Sequence, residues 1–456
     1  MPANYEQIRA ENIARYGWDT AVLDLLGHLY SDRTHFIFEL IQNAEDAGAT
    51  ELSFTVFPDR LEVRHDGRPF TEADVRGLCG VAQSSKSGDL TQIGRFGIGF
   101  KSVYAYTRNP RVYSGAERFR IESFVRPFAL DPDDLGSGPG DEGGLTRFVF
   151  PFDLDSVPAP TAAAEIAAAL NRLEPATLLF LRHLSRLRVT GTGVTEARLV
   201  RGMEPGPAGS QRISVSKDLP ISKVTWLAWS RSLPAHRGPG ASALAVEIAF
   251  RVDPGATPQI SQQISPLDRS PLSVFFPTEK ETFLGFVAQG PYRTTPARDN
   301  VPEHDPANQD FVAQTAALLA EVLPGLRDAG LLTVTALTAL PLDPARFPPG
   351  SMFRPLFDVV RAALASEPLI PAADGEPRRA GDLALTADPG LIDLLSPHQL
   401  GTLLSTGRPR FWADPAATPE ATPVLWRYLR DELGGPELTA AALVTRADTG
   451  FLAAQP

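Results

Sequence analysis

A chain of 456 residues exceeds what one hydrophobic core holds, because single cores stop growing at roughly 250 to 300 residues, so two or more domains are expected. Hydrophobic residues at 43% and charged residues at 21% exclude a disordered or collagen-like chain. The net charge of −11 argues against a surface built mainly to neutralise a nucleic-acid backbone, although it leaves room for a local basic patch. Cys79 is the single cysteine, which excludes an intramolecular disulfide and a cysteine-built zinc site and fits a reducing, cytoplasmic compartment. No basic and apolar leader opens the chain, and no apolar stretch reaches the ~18 residues of a membrane span.

Residues 5–47 carry apolar side chains at helical spacing, ending in Phe36, Ile37, Leu40, Ile41 and Ala44, so two or three helices precede any strand. Gly48 supplies a left-handed stop, and the alternating runs 51–57 and 60–64 about Pro58 and Asp59 read as a hairpin. Thr71 with Asp74 three residues on opens a short helix to Cys79. A polar stretch, 83–92, then runs into glycines. Strands are expected at 119–125 and 146–152, on either side of a turn-rich segment. A helical segment spans 161–184, interrupted at Pro175. Alternating runs at 186–194, 212–217, 223–230, 244–252 and 283–289 indicate a second sheet-containing domain. After about Arg298 the pattern is helix-rich and proline-punctuated. The chain stops at Gln455 and Pro456 without a clear cap, as a segment of a longer protein would.

Glu39, Asn43 and Asp46 recur at i, i+4 and i+7 on one helical segment, and so share a face. An amide oxygen from Asn43 suits a hard Mg²⁺ that keeps most of its waters, and Glu39 is placed to polarise an attacking water. Taken alone, three polar residues on an amphipathic helix are most simply a solvated face. Gly94, Arg95, Phe96, Gly97, Ile98, Gly99 and Phe100 change that weighting. Three glycines within six residues, opening a helical pattern, let backbone N–H groups approach an anion such as a phosphate chain. The run matches neither the dinucleotide fingerprint nor the phosphate loop that ends in Gly-Lys-Ser/Thr.

These segments together resemble the GHKL ATPases, the family of gyrase B, MutL, histidine kinases and the ninety-kilodalton heat-shock chaperones, and most nearly its sacsin-type branch. Residues 39–47 resemble the family's asparagine box, 94–102 its second glycine box, Ser84, Ser85 and Lys86 the start of its ATP lid, and Thr146 the threonine behind the adenine pocket. Pro277, Thr278 and Glu279, and the segment 295–299, resemble the sacsin-type continuation more loosely.

The resemblance implies an α+β fold. It would have a two-layer, GHKL (Bergerat) type ATP-binding domain at 1–155, with a mixed, mostly antiparallel sheet covered by helices on one face. A helical connector would follow at 156–184, a transducer-like α/β domain at 185–305 and a helix-rich region at 306–456. It implies ATP and Mg²⁺ as cofactors and slow hydrolysis driving a chaperone-like conformational cycle. It also implies an ATP-dependent homodimer, and a protein client or the remainder of a longer chain as partner. Glu39 would be the general base, Asn43 the Mg²⁺ ligand, Asp46 a ribose or lid contact, and the backbone of 94–100 the phosphate cradle. Lys86 would approach the phosphates or stay solvated. Arg298 would complete the γ-phosphate cage or serve as an ordinary surface arginine.

One departure stands out. His65 occupies the place where the family puts the Asp that accepts the adenine amino group, and Pro69 replaces a glycine. Either Asp66 takes that role, or Thr146 and water read the base. An interaction scaffold with a degenerate nucleotide site is the alternative reading, and an ATPase acting on nucleic acid is disfavoured by the acidic balance.

Overall fold

Apolar spacing at the chain start produces helix α1 (Tyr5–Tyr16), capped by the Asn4 side chain accepting from the Gln7 N–H at 3.1 Å. Helix α2 (Phe36–Asp46) buries Phe36, Ile37, Leu40, Ile41 and Ala44 at 2% exposure or less. The four larger side chains each contribute about 1.5 to 3 kcal/mol of burial, so packing decides the helix. It ends at Gly48, whose φ of 71° is the left-handed turn expected, and the Ala49 N–H returns to the Ala44 carbonyl. The hairpin follows as β1 (Glu51–Val56) and β2 (Arg60–His65), then α3 (Glu72–Cys79) with a Thr71–Asp74 capping box. The computed structural model describes residues 2–18, 33–80, 99–130, 144–219, 221–233, 244–257, 260–295 and 300–453.

A 3₁₀ turn (Gly99–Ala105) leads to β3 (Arg111–Ser114), β4 (Glu117–Glu122), β5 (Arg126–Ala129) and β6 (Thr146–Pro151), and then to α4 (Ala159–Asn171). Strand β7 (Arg186–Gly191) begins a second group: β8 (Ala197–Pro205), β9 (Gln211–Asp218), β10 (Ile221–Ser232), β11 (Ala245–Thr257), β12 (Ile260–Ile264), β13 (Pro271–Val274), β14 (Phe276–Glu281) and β15 (Val287–Gln289). All fifteen form one sheet in the order β14-β13-β15-β11-β10-β9-β8-β7-β1-β2-β6-β3-β4-β5, with β12 on β11. The sheet is mixed and mostly antiparallel, as expected; within it, β1–β7 and β13–β15 are the parallel pairs among the described residues.

The two groups of strands therefore share one hydrogen-bonded ladder, from Glu51↔Arg186 to Val56↔Gly191. Helices α1, α2 and α4 cover the inner face of the first group, with Phe54, Leu61, Val63, Phe148 and Leu187 in the core. A second core joins β10, β11 and β15 to α5 (Pro306–Asp328) and α6 (Arg354–Ser366). The fold is thus α+β with a helix-rich C-terminal region, as the sequence predicts. Among the described residues no helix is long and apolar enough to cross a membrane. Cys79 is a buried free thiol, pushed up to about 12 by burial.

Candidate functional site

The site is built where α2 meets the 3₁₀ turn and the inward face of β2, β6 and β3. Glu39 is 4% exposed, and its Oε1 lies 3.9 Å from His35 Nε2 one turn earlier. Gly99 is pressed against it, since a Cβ there would come within 1.8 Å of Glu39 Oε2. Only glycine fits so close an approach, which gives that residue of the glycine run a concrete reason. Asn43 and Asp46 follow on α2, both half-buried. The Asn43 side chain has no hydrogen-bond partner among the described residues, so its amide remains available to a ligand.

Across a narrow cleft of about 10 Å³, Glu39, His35 and Phe38 face Phe276, Thr278 and Thr294, with the Phe38 and Phe276 rings 5.2 Å apart. The loosely matched segments around Thr278 and Thr294 thus reach the candidate base, a juxtaposition that sequence spacing alone did not supply.

Strand alternation sends His65, Thr146 and Ser114 inward in one row across β2, β6 and β3. Thr146 is fully buried, and its Oγ1 lies 2.5 Å from Ser114 Oγ, which accepts from the Phe70 N–H at 2.9 Å. Ser114 was not singled out in the sequence, because a serine closing a short strand carries no signal until its register is known. His65 is 3% exposed, and its Nδ1 accepts from the Gly67 N–H at 3.1 Å. Burial pushes its pKa down to about 4, partly opposed by the Asp66 charge. It is therefore a neutral imidazole with its hydrogen on Nε2.

Asp66, the candidate substitute for the family's adenine-reading Asp, points elsewhere. Its carboxylate accepts from the Thr50 N–H at 2.7 Å, the Thr50 hydroxyl at 2.6 Å and the Glu51 N–H at 2.8 Å. Partial burial works against its charge, yet the Thr50 and Glu51 bonds hold the carboxyl below the usual range. Successive residues at a strand end face opposite ways, so His65 and Asp66 cannot share a task. This placement takes Asp66 out of the row formed by His65, Thr146 and Ser114.

The loop after β2 is fixed by the Arg68 N–H donating to the Ala47 carbonyl at 2.9 Å and by Arg68 pairing with Asp74 at 2.6 Å. Phe100 is buried in the core with its ring tilted against Phe148 at 6.0 Å, so its backbone is the part left to face a ligand. Lys101 is fully buried, and its Nζ donates to the carbonyls of Leu78 at 2.6 Å and Phe124 at 2.5 Å; burial pushes its pKa down to about 8. Lys86, Gly94, Arg95, Phe96, Gly97, Ile98 and Arg298 lie outside the described residues.

The His65 geometry predicts a pH dependence. Between pH 4 and 6.5 the unfolded chain binds a proton at this imidazole that the folded chain does not, so stability is present above 6.5 and is lost as pH falls toward 4. The window corresponds to about 3 kcal/mol. Urea unfolding from pH 7 to 4.5 should show that loss, and His65→Asn, which keeps an acceptor for the Gly67 N–H, should flatten it. An equal slope in both proteins would refute the assignment.

Residues 61–122 match the family model described as the Sacsin domain. This stretch is sacsin-like. Over 318 residues the chain is 27% identical to Protein NO VEIN of Arabidopsis thaliana, covering 65% of this chain and 11% of that protein. Over 103 residues it is 35% identical to human Sacsin, covering 19% of this chain and 2% of that one. The chain thus spans about a tenth or less of these relatives. Among solved structures, the N-terminal domain of a DNA repair protein superposes with a TM-score of 0.38 at 10% identity, covering 67% of this chain and 96% of that one. The B-subunit of DNA gyrase from Myxococcus xanthus superposes with a TM-score of 0.33 at 13% identity, covering 66% and 90%.

Proposed function

We propose that this chain binds ATP with Mg²⁺ and hydrolyses it slowly, using the cycle for chaperone-like conformational work. The observation that carries this reading is the Glu39 carboxylate, buried against the Gly99 backbone and one helical turn before the unpartnered Asn43 amide. The sacsin-like stretch and the α+β architecture support it.

Asn43 would hold the cation. An amide oxygen suits Mg²⁺, which prefers waters and phosphate oxygens over a full protein cage. When bound, that ion supplies neutralisation of phosphate charge. Glu39 accepts a proton from an attacking water, with His35 Nε2 3.9 Å from its carboxylate. Asp46 contributes a polar edge at the end of α2. Thr278 and Thr294, across the cleft from Glu39, give the second group of strands a route by which to sense occupancy. Arg298, four residues beyond Thr294, remains the candidate cation for the γ-phosphate.

Isothermal titration with ATP, in the presence and absence of Mg²⁺, is the direct test: Asn43→Ala should lose the Mg²⁺-dependent part of binding. Absence of ATP binding by the parent chain would overturn the proposal in favour of the scaffold reading. That reading draws on His65, whose Nε2–H presents a donor where the family's Asp presents an acceptor. A parallel titration with GTP measures the effect, because a donor there pairs with a 6-oxo group and opposes a 6-amino group.

A further inference from the structure

The wall of the cleft opposite Glu39 is held by a buried side chain of the second strand group. Strand β15 lies between β11 and β13, and on it Gln289 pairs with Glu247 on one side and with Ser273 on the other. Its side chain, 3% exposed, reaches out to both sides as well. Oε1 accepts from the Phe275 N–H at 2.8 Å, and Nε2 donates to the Glu247 carboxylate at 3.1 Å. A bridge from an N–H to a carboxylate needs an acceptor and a donor on one side chain, which a carboxamide supplies and a second carboxylate does not.

Phe275 is where such a hold is needed. Val274 and Phe276 pair across β13 and β14, so Phe275 alone turns the chain, at a φ of 64°. A bulky residue is rare in that left-handed region and stays there only when its surroundings over-determine it. Val274 and Phe276, on either side of the turn, both line the cleft beside Glu39, and the Phe276 ring meets Phe38 of α2 at 5.2 Å. The Thr278 hydroxyl donates to the Leu272 carbonyl at 2.8 Å and ties the two arms of the hairpin together, so a shift of the turn carries Thr278 with it. Thr294 is held separately, from the start of α5. There Asn308, fully buried, accepts from the Arg293 N–H at 2.7 Å and donates to the Arg293 and Pro302 carbonyls at 2.9 and 3.0 Å.

The cleft closed by these segments has a volume of about 10 Å³, room for about a single water molecule. A general base acts on a water held within hydrogen-bonding reach, and a misplacement of about 1 Å costs roughly a hundredfold in rate. The spacing between the β13–β14 hairpin and the Glu39 carboxylate is therefore what must be kept constant.

We infer, on the reading of Glu39 as the base of an ATPase, that Gln289 is a positioning residue for that site. By fixing the Phe275 turn it sets the distance of the hairpin from the carboxylate, and with it the room for the attacking water.

The test is steady-state phosphate release with parallel ATP titration on the full chain. Gln289→Leu should lower kcat about tenfold or more, with ATP affinity unchanged, because the hairpin holds none of the residues assigned to the nucleotide. Burial already raises the Glu247 carboxyl above its usual range, with the Arg182 charge and the Gln289 bond opposing. Gln289→Glu sets another carboxylate against it and should lower kcat likewise. Combining Gln289→Glu with Glu247→Gln exchanges the two ends of the bridge and restores both hydrogen bonds, so kcat should return to within about threefold of the parent. Hydrogen exchange of the 274–278 amides in the nucleotide-free chain should be faster in Gln289→Leu, which reports the hold without any nucleotide. Should Gln289→Leu fail to fold, Gln289→Glu set against the exchanged pair gives the same reading. A kcat for Gln289→Leu equal to that of the parent would overturn the inference and leave the ATPase reading standing. So would a loss in Gln289→Glu that the exchanged pair does not restore. No turnover by the parent chain would overturn the ATPase reading, and this inference with it.

Discussion

Glu39→Ala is expected to bind ATP as the parent chain does and to turn it over roughly 10² to 10⁴ times more slowly, the usual consequence of removing a general base. The mechanism of loss can be separated from simple unfolding through Gly99. Gly99→Ala would drive a methyl group into the Glu39 carboxylate, since the built Cβ lies 1.8 Å from Oε2. The side chain of Glu39 must then rotate away from its place, and turnover should fall by a comparable factor although the carboxylate is still present. Steady-state phosphate release with parallel ATP titration measures both. Equal turnover in Glu39→Ala and the parent chain would remove the base assignment; full activity in Gly99→Ala would show that the contact with residue 99 does not position the carboxylate.

The second large effect is expected at Glu45, which has no place in the nucleotide argument. Its side chain is 5% exposed and accepts from three successive backbone N–H groups, those of Arg182 at 2.6 Å, His183 at 2.9 Å and Leu184 at 2.8 Å. Hydrogen bonds to a charged acceptor are worth about 1.5 to 3 kcal/mol each, and the three are not additive, so Glu45→Ala should cost roughly 3 kcal/mol. Glu45→Gln, which keeps an acceptor and loses the charge, should fall between the two. Denaturant unfolding followed by intrinsic fluorescence reports the difference, and a midpoint for Glu45→Ala equal to that of the parent would show that the clamp carries no stability.

Helix α2 was legible because Phe36, Ile37, Leu40, Ile41 and Ala44 keep a helical period up to a glycine stop, and α3 because Thr71 and Asp74 spell a capping box. Both signals are local. Strands β3, β5, β8, β12, β13 and β14 were not anticipated: Arg111–Ser114, Arg126–Ala129 and Pro271–Val274 are four residues each, too short for alternation to rise above noise, and Phe276–Glu281 contains a proline and three charges. The parallel pairing of β1 with β7 was also beyond reach, since it joins residues more than 130 positions apart and leaves no periodic trace. The Glu39–Asn43 spacing was legible for the same reason as its helix. The opposed directions of His65 and Asp66 needed the strand register. The role of Glu45 needed its partners on another segment.

That parallel pairing bears on how any signal from the Glu39 site can travel. Six consecutive rungs, from Glu51↔Arg186 to Val56↔Gly191, weld the two strand groups edge to edge, and the Glu45 clamp adds three more bonds just before the seam. At Gly191 the two backbones are so close that a Cβ would lie 2.0 Å from the Val56 carbonyl oxygen. A hinge at this seam would have to rupture the ladder rung by rung. The compliant mode left to a welded sheet is torsion, in which a small change of twist near β1 accumulates from strand to strand. Over the eight strands from β7 to β14 along the ladder, a change of a degree or two at each interval would swing the far edge by about ten degrees. The molecule is then a torsion bar, and its far edge, β13 and β14, is the same edge that folds back to meet Glu39 through Phe276 and Thr278.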